Sequence, residues 1–105
     1  MNNQKIEKKI LSLLGLATKA GKIVSGEFPT ETAIKSGTAT LVVIAQDASN
    51  NTKKLFQDKC SFYKIPIMIV GTKEELGHAI GKEYRASLAI LDAGFAEAII
   101  KLKME

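Results

Sequence analysis

The stretch TLVVIA, at residues 40–45, is an uninterrupted run of β-branched and apolar side chains. A strand with one exposed face alternates apolar and polar residues, whereas a continuous apolar run is typical of a strand buried on both faces. Two similar runs follow, IMIV at 67–70 and SLAIL at 87–91, and IVS at 23–25 is a shorter candidate. The sequence therefore predicts a sheet of about four strands, and the three longer runs are predicted to be buried.

Five segments with helical apolar spacing or helix-capping patterns alternate with these runs. They lie at about 3–20, 27–37, 51–63, 72–80 and 94–103. The third is predicted to turn Leu55, Phe56, Cys60 and Tyr63 inward, and the fifth Phe95, Ala98, Ile99 and Leu102. Alternating helices and strands predict a three-layer α/β/α sandwich with a central sheet of about four strands, formed by residues 1–105 as one domain.

The charge of the chain is unevenly distributed. Fifteen Lys and Arg residues against eleven Asp and Glu residues give a net charge of +4 and a pI near 9.2. Residues 1–54 carry eight lysines and four acidic residues, whereas residues 55–105 carry seven basic and seven acidic ones. A basic excess in one half favours a surface that faces a polyanion, and a chance distribution of surface charge is the alternative.

Cysteine content and hydropathy bear on the compartment. Cys60 is the only cysteine, so no intramolecular disulfide can form, which fits a reducing cytosol. The first residues, MNNQKIEKKI, are too polar for a signal peptide. No apolar run approaches the roughly 18 residues that a membrane-spanning helix needs. We therefore expect a cytoplasmic protein that does not cross a membrane.

Patterns for catalysis or metal binding are weak. The stretch GLATKAGK, at 15–22, lacks phosphate-loop spacing, because Ala20 stands where that motif needs glycine. Asp47 follows a buried strand, where a phosphoacceptor would lie, but no acidic pair follows another strand and an Asx-type turn is favoured. Cys60 lies on an apolar stripe, and His78 is the only histidine. We expect no enzyme, no catalytic or metal-binding residue and no cofactor.

Two segments are better suited to binding an anion. Gly26 precedes a helix whose first N–H groups, at 27–29, have no partner within the helix, and Pro29 in its first turn has no N–H to lose. Lys22 and Lys35 flank that segment. The second, GKEYRAS at 81–87, combines basic residues with an aromatic ring that could stack on an unpaired base. Each pattern taken alone is also common in ordinary loops.

Four ordered motifs together resemble a known family, the kink-turn RNA-binding ribosomal proteins. The motifs are AGKIVSGE (20–27), TAIKSGTATLVVIAQDAS (32–49), YKIPIMIV (63–70) and LGHAIGK (76–82). The resemblance covers residues 10–95 approximately. It implies an α/β/α sandwich without enzymatic activity that recognises kinked internal loops in structured RNA, with ribosomal or translation-factor proteins as further partners.

The sequence departs from the family signature G-x-N-E-x-x-K, which begins at the position of Gly26. Phe28, Pro29 and Thr32 stand where Asn, Glu and Lys are usual. The family's second contact, a loop that covers a flipped-out nucleotide, matches residues 82–86. The RNA-binding residues that the resemblance implies are Lys22, Gly26, Glu27, Phe28, Thr32, Lys35, Lys82, Tyr84, Arg85 and Ala86. The alternative is a protein-interaction module that kept the fold and lost specific RNA recognition.

Overall fold

The computed structural model describes residues 3–104, which form five helices and four strands in alternating order. The elements are α1 (Asn3–Lys19), β1 (Ile23–Ser25), α2 (Glu27–Lys35), β2 (Leu41–Ile44), α3 (Asn50–Tyr63), β3 (Ile67–Ile69), α4 (Lys73–Ala79), β4 (Ser87–Ile90) and α5 (Ala93–Met104). Every predicted helix and strand is present, with bounds shifted by a few residues.

The four strands form one mixed sheet in the order β1-β4-β2-β3. Strand β4 runs antiparallel to both β1 and β2, while β2 and β3 are parallel. Ile44 at the end of β2 pairs with Ser87 at the start of β4, and Ser25 at the end of β1 pairs with Leu88. Three strands therefore end, and β4 begins, at one end of the sheet, which we call the Ser87 end.

The helices form two layers. Helix α2 contacts α3, β1 and β4, whereas α1 contacts both α4 and α5. All residues of β2 and β4 are buried, as expected for central strands covered on both faces. Phe56 and Cys60 of α3 and Leu76 of α4 complete the same core. The predicted three-layer α/β/α sandwich with a four-stranded sheet is confirmed.

Strand β3 corrects one prediction. The run at 67–70 was expected to be a strand buried on both faces, but within the described residues β3 pairs with β2 alone and forms an edge of the sheet. Ile67 and Met68 are half-buried and Ile69 is 37% exposed, while Val70 beyond the strand is buried. An apolar run cannot by itself distinguish a central strand from an edge strand, because neighbouring strands decide the difference.

Two helical side chains also differ from the prediction. Tyr63 is exposed, because α3 ends there with Lys64 in a left-handed conformation (φ 60°), and its ring lies edge-on against Phe62 with centroids 4.9 Å apart. In α5, Ala98 is exposed and Ala96 is buried beside Ile99. The apolar stripe of a short alanine-rich helix is ambiguous, because alanine is tolerated on either face.

Cys60 is a core residue, as the sequence predicted. Cys60 is buried in α3, and burial raises the pKa of its thiol to about 11. Thiolate formation is therefore suppressed near neutral pH, which makes this cysteine a packing residue rather than a nucleophile.

Thr30 in α2 provides a test of the core. The residue is fully buried, and its hydroxyl has no hydrogen-bond partner among residues 3–104. A buried hydroxyl without a partner is destabilising, so Thr30→Val should raise the free energy of unfolding by about 1 kcal/mol, measured by urea denaturation. Thr32→Val, on the exposed side of the same helix, is the control and should change little. A loss of stability in Thr30→Val would contradict the conclusion that the buried Thr30 hydroxyl has no hydrogen-bond partner.

Candidate nucleic-acid interface

Gly26 determines how α2 begins. Its backbone adopts φ 100° and ψ 162°, a conformation that residues with a side chain rarely adopt. Its N–H donates to the carbonyl oxygen of Ser87 at 2.9 Å, which ties the start of α2 to β4 at the Ser87 end. No side chain of residues 3–104 caps the helix, so the N–H groups of Glu27 and Phe28 stay available at its positive end.

Two other helices that begin at the Ser87 end, α3 and α4, are capped. The hydroxyl of Ser49 accepts from the N–H of Thr52 in α3, and Thr72 forms a reciprocal capping box with Glu75 in α4. Asp47 adds a second acceptor for α4, with its Oδ1 2.8 Å from the backbone nitrogen of Lys73. Among these three helices, α2 alone offers backbone donors without a capping side chain.

The bond to Lys73 corrects the interpretation of Asp47. An Asx-type turn was favoured, in which the carboxylate would bond within its own loop. Instead the acceptor lies 26 residues from its donor in sequence, and only the tertiary structure brings the two together. No group of three or more potential metal ligands occurs in the described part of the chain.

The segment 81–86 lies directly on α4. The N–H of Lys82 donates to the carbonyl oxygen of Gly77 at 2.7 Å, and the N–H of Arg85 to that of Lys73 at 3.0 Å. A Cβ at Gly77 would lie 2.6 Å from the carbonyl oxygen of Glu83, so only glycine allows this approach. Gly77 was not among the predicted site residues, although a glycine in the middle of a helix often indicates close backbone contact.

The side chain of Arg85 connects this segment to the start of α2. Its Nε donates to Ser25 Oγ at 2.9 Å, and its Nη1 donates to the carbonyl oxygen of Tyr84 at 2.7 Å. Ser25 directly precedes Gly26. The two segments that the sequence indicated, separated by about 60 residues, are therefore adjacent at the Ser87 end.

Seven of the predicted residues lie on these two adjacent segments and define the α2–loop surface. They are Gly26, Glu27, Phe28, Lys82, Tyr84, Arg85 and Ala86. The rings of Phe28 and Tyr84 are 77% and 59% exposed, Lys82 is exposed, and Ala86 is half-buried. Two exposed rings, an exposed lysine and an uncapped helix start therefore lie on adjacent segments at the Ser87 end. Thr32, also exposed, follows one turn further along α2.

The structure places the other two predicted lysines farther away. Lys22 precedes β1 and is four residues from Gly26, about 13 Å along an extended chain. Lys35 occupies the last turn of α2, eight residues and about 12 Å along the axis from Glu27. Its Nζ lies 3.5 Å from a Glu31 oxygen that is also 3.4 Å from Lys59. Lys22 and Lys35 thus lie at the margin of the α2–loop surface.

Comparison with known proteins identifies the family. The family model of the ribosomal protein L7Ae/L30e/S12e/Gadd45 family matches residues 8–100 of the chain. The chain belongs to this family. The resemblance of the four sequence motifs is thereby confirmed.

Curated relatives span nearly the whole chain. RNA-binding protein YlxQ of Bacillus subtilis (strain 168) is 47% identical over 90 residues, which cover 86% of this chain and 90% of that protein. Large ribosomal subunit protein eL30 of Tetrahymena thermophila is 38% identical over 95 residues, covering 89% and 91%. One name describes an RNA-binding protein and the other a ribosomal protein, in agreement with the prediction that this chain is not an enzyme.

Solved structures share the fold. A protein of unknown function from Bacillus halodurans C superposes with a TM-score of 0.89 at 43% identity, covering 92% of this chain and 98% of that one. The Giardia lamblia 15.5kD RNA binding protein gives a TM-score of 0.82 at 22% identity, covering 99% and 92%, and supports the fold alone. Within residues 3–104, no helix combines the length and hydropathy needed to cross a membrane.

The contact at Gly77 can be tested by substitution. Gly77→Ala places a methyl group against the Glu83 carbonyl and should displace the segment 81–86, with a loss of about 1–3 kcal/mol in the free energy of unfolding. Amide hydrogen exchange at residues 82–85 should accelerate. His78→Ala, at an exposed neighbouring position of α4, is the control. Equal exchange in both variants would show that the segment does not depend on this contact.

Proposed function

We propose that this protein binds structured RNA through the α2–loop surface, and that its preferred target is a kink-turn-like internal loop. The observation that carries the proposal is the uncapped start of α2 beside the exposed ring of Tyr84. Membership of a family whose relatives are named as RNA-binding and ribosomal proteins supports it. The protein acts in the cytoplasm in association with the ribosome, where ribosomal proteins or translation factors are further partners.

The surface offers contacts of two kinds. The N–H groups of Glu27 and Phe28, together with the ammonium group of Lys82, suit phosphate oxygens. The ring of Tyr84 suits stacking on a base that has left its helix. A kinked internal loop presents both features, because its backbone bends sharply and one of its nucleotides is extruded. A straight duplex presents phosphates but no free base.

Base-specific contacts should be few. Phe28 and Pro29 offer no side-chain hydrogen bond at the start of α2, and the hydroxyl of Thr32 is shorter than the lysine usual at that position. Good bidentate contacts to base edges contribute about 1–3 kcal/mol of discrimination each. We therefore infer that the protein recognises the shape of the RNA backbone more than the identity of its bases.

A binding titration tests the proposal. A labelled kink-turn RNA and a straight duplex of equal length are titrated with the protein at two salt concentrations. We expect at least about tenfold tighter binding to the kink-turn, and weaker binding of both RNAs at higher salt because condensed counterions are released. Equal affinity for the two RNAs would contradict kink-turn recognition, and no binding at low salt would contradict the proposed function.

Substitutions then locate the surface. Tyr84→Ala should weaken kink-turn binding by about 1–3 kcal/mol through the loss of stacking. Tyr63→Ala is the matched control. The ring of Tyr63 is also exposed but lies at the last residue of α3, whereas α3 begins at the Ser87 end. Lys82→Gln should weaken binding more than Lys22→Gln at the margin. Equal losses in the two tyrosine variants would place the RNA elsewhere.

The alternative function, a protein-interaction module, is favoured by one observation. Phe28 lines a groove of about 340 Å³ whose walls are mostly apolar. The other lining residues are Val24, Pro29, Thr32, Ala33, Ser36, Thr38 and Leu91. An exposed aromatic ring beside an apolar groove is typical of an interface anchor.

A nuclease-treated pulldown separates the two functions. A protein partner that binds at Phe28 should still be recovered after nuclease digestion. Its recovery should be lost with Phe28→Ser but not with Phe62→Ser. Phe62 is the matched control because its side chain is equally exposed, at 78%, near the far end of α3. Loss of every partner on nuclease treatment would favour the RNA-binding function.

A further inference from the structure

The side chain of Arg85 is bonded within the protein. It is the only arginine in a chain whose other fourteen basic residues are lysines. Its Nε donates to Ser25 Oγ at 2.9 Å and its Nη1 to the Tyr84 carbonyl oxygen at 2.7 Å. Arginine differs from lysine in carrying several donors fixed in one plane, so it can bond two acceptors in set directions at once. The position of Arg85 uses two such directed donors, a geometry that lysine cannot reproduce.

We propose that Arg85 is a positioning residue, which with Ser25 holds the ring of Tyr84 at a fixed place relative to the start of α2. This inference rests on the proposed function of the α2–loop surface. The guanidinium group then serves mainly to hold the segment in place rather than as a direct RNA contact, the role that the family resemblance implied for Arg85. Its bonds align the two contact segments before RNA arrives.

The other hydrogen bonds of the segment run to different elements. Lys82 and Arg85 are attached through their backbone N–H groups to α4. Ala86 accepts a bond from the N–H of Ala45, just after β2, at 2.9 Å. These bonds fix the segment to α4 and to the centre of the sheet. The bond from Arg85 to Ser25 is the side-chain link to the β1–α2 junction.

The side chain of Arg85 also contacts the residue that carries the stacking ring, Tyr84. Because Nη1 bonds the carbonyl oxygen of Tyr84 itself, movement of the guanidinium group would release the backbone that carries the ring. A kinked RNA must meet the start of α2 and the ring of Tyr84 at the same time. Segments already ordered in the free protein lose less conformational entropy on binding, which increases affinity for the RNA that fits both. A duplex that uses only phosphate contacts gains nothing from this alignment.

A double-mutant cycle tests the inference. Ser25→Ala, Arg85→Lys and the double variant are compared with the wild-type chain in binding to the kink-turn RNA and the duplex. Each single variant should weaken kink-turn binding by about tenfold, the effect expected for loss of a hydrogen bond to a charged group. The double variant should be no weaker than Arg85→Lys, because that substitution already removes the bond to Ser25. Duplex binding should weaken less than kink-turn binding in each variant.

Salt dependence distinguishes positioning from phosphate binding. Ser25→Ala and Arg85→Lys should leave the slope of log affinity against log salt unchanged, whereas Lys82→Gln should reduce it by about one. Ser61→Ala, at an exposed position of α3, is the control for loss of a hydroxyl. Wild-type affinity in Arg85→Lys or in Ser25→Ala would overturn the inference. A reduced slope in Arg85→Gln without any effect of Ser25→Ala would make Arg85 a phosphate contact.

Hydrogen exchange in the absence of RNA keeps the inference separate from the proposed function. Amides of residues 83–86 should exchange faster in Ser25→Ala and Arg85→Lys than in the wild-type chain or Ser61→Ala, at unchanged Tm. If the wild-type chain bound no structured RNA, the proposed function would fail, and faster exchange would still support the link. Unchanged exchange in both variants would refute the link whether or not RNA binds.

Discussion

The two central strands of the sheet are buried on both faces, and this constraint arranges the rest of the molecule. Neither face of β2 or β4 can contact water, so helices must cover both. The chain meets that requirement by following β1, β2 and β3 each with a helix and by bringing β4 back antiparallel. The starts of α2, α3 and α4 then necessarily lie at the same end of the sheet as the segment 81–86. The candidate interface is a consequence of how the core is covered.

Capping decides which of these helix starts can meet a ligand. Backbone N–H groups at a helix start need acceptors, and side chains supply them for α3 and α4. Gly26 has no side chain to supply one for α2. Its positive-φ backbone also turns the chain from β1 into the helix, so the residue that makes the turn leaves the donors open. An anion can therefore replace the missing cap, and phosphate is the anion that structured RNA offers.

Two kinds of side chain share the α2–loop surface. Tyr84 and Phe28 project outward, where they can contact a partner, while the guanidinium group of Arg85 turns back onto Ser25. The net positive charge of the chain attracts a polyanion from any direction, but fixed geometry is what distinguishes a bent backbone from a straight one. Within the protein, Gly77 allows the close contact between α4 and the segment 81–86, and the hydrogen bonds of Arg85 connect that segment to Ser25.

The sequence by itself determined the elements and their order, because buried strands and amphipathic helices are local patterns that repeat at known periods. It also indicated the two segments of the candidate interface through glycine, proline, aromatic and basic residues. Tertiary structure alone decided that β3 lies at the edge of the sheet, where Ile69 is partly exposed. It also decided that the carboxylate of Asp47 caps α4. It likewise decided that the only arginine bonds Ser25, sixty residues away in sequence. Such contacts depend on distances between remote segments, which no local pattern encodes.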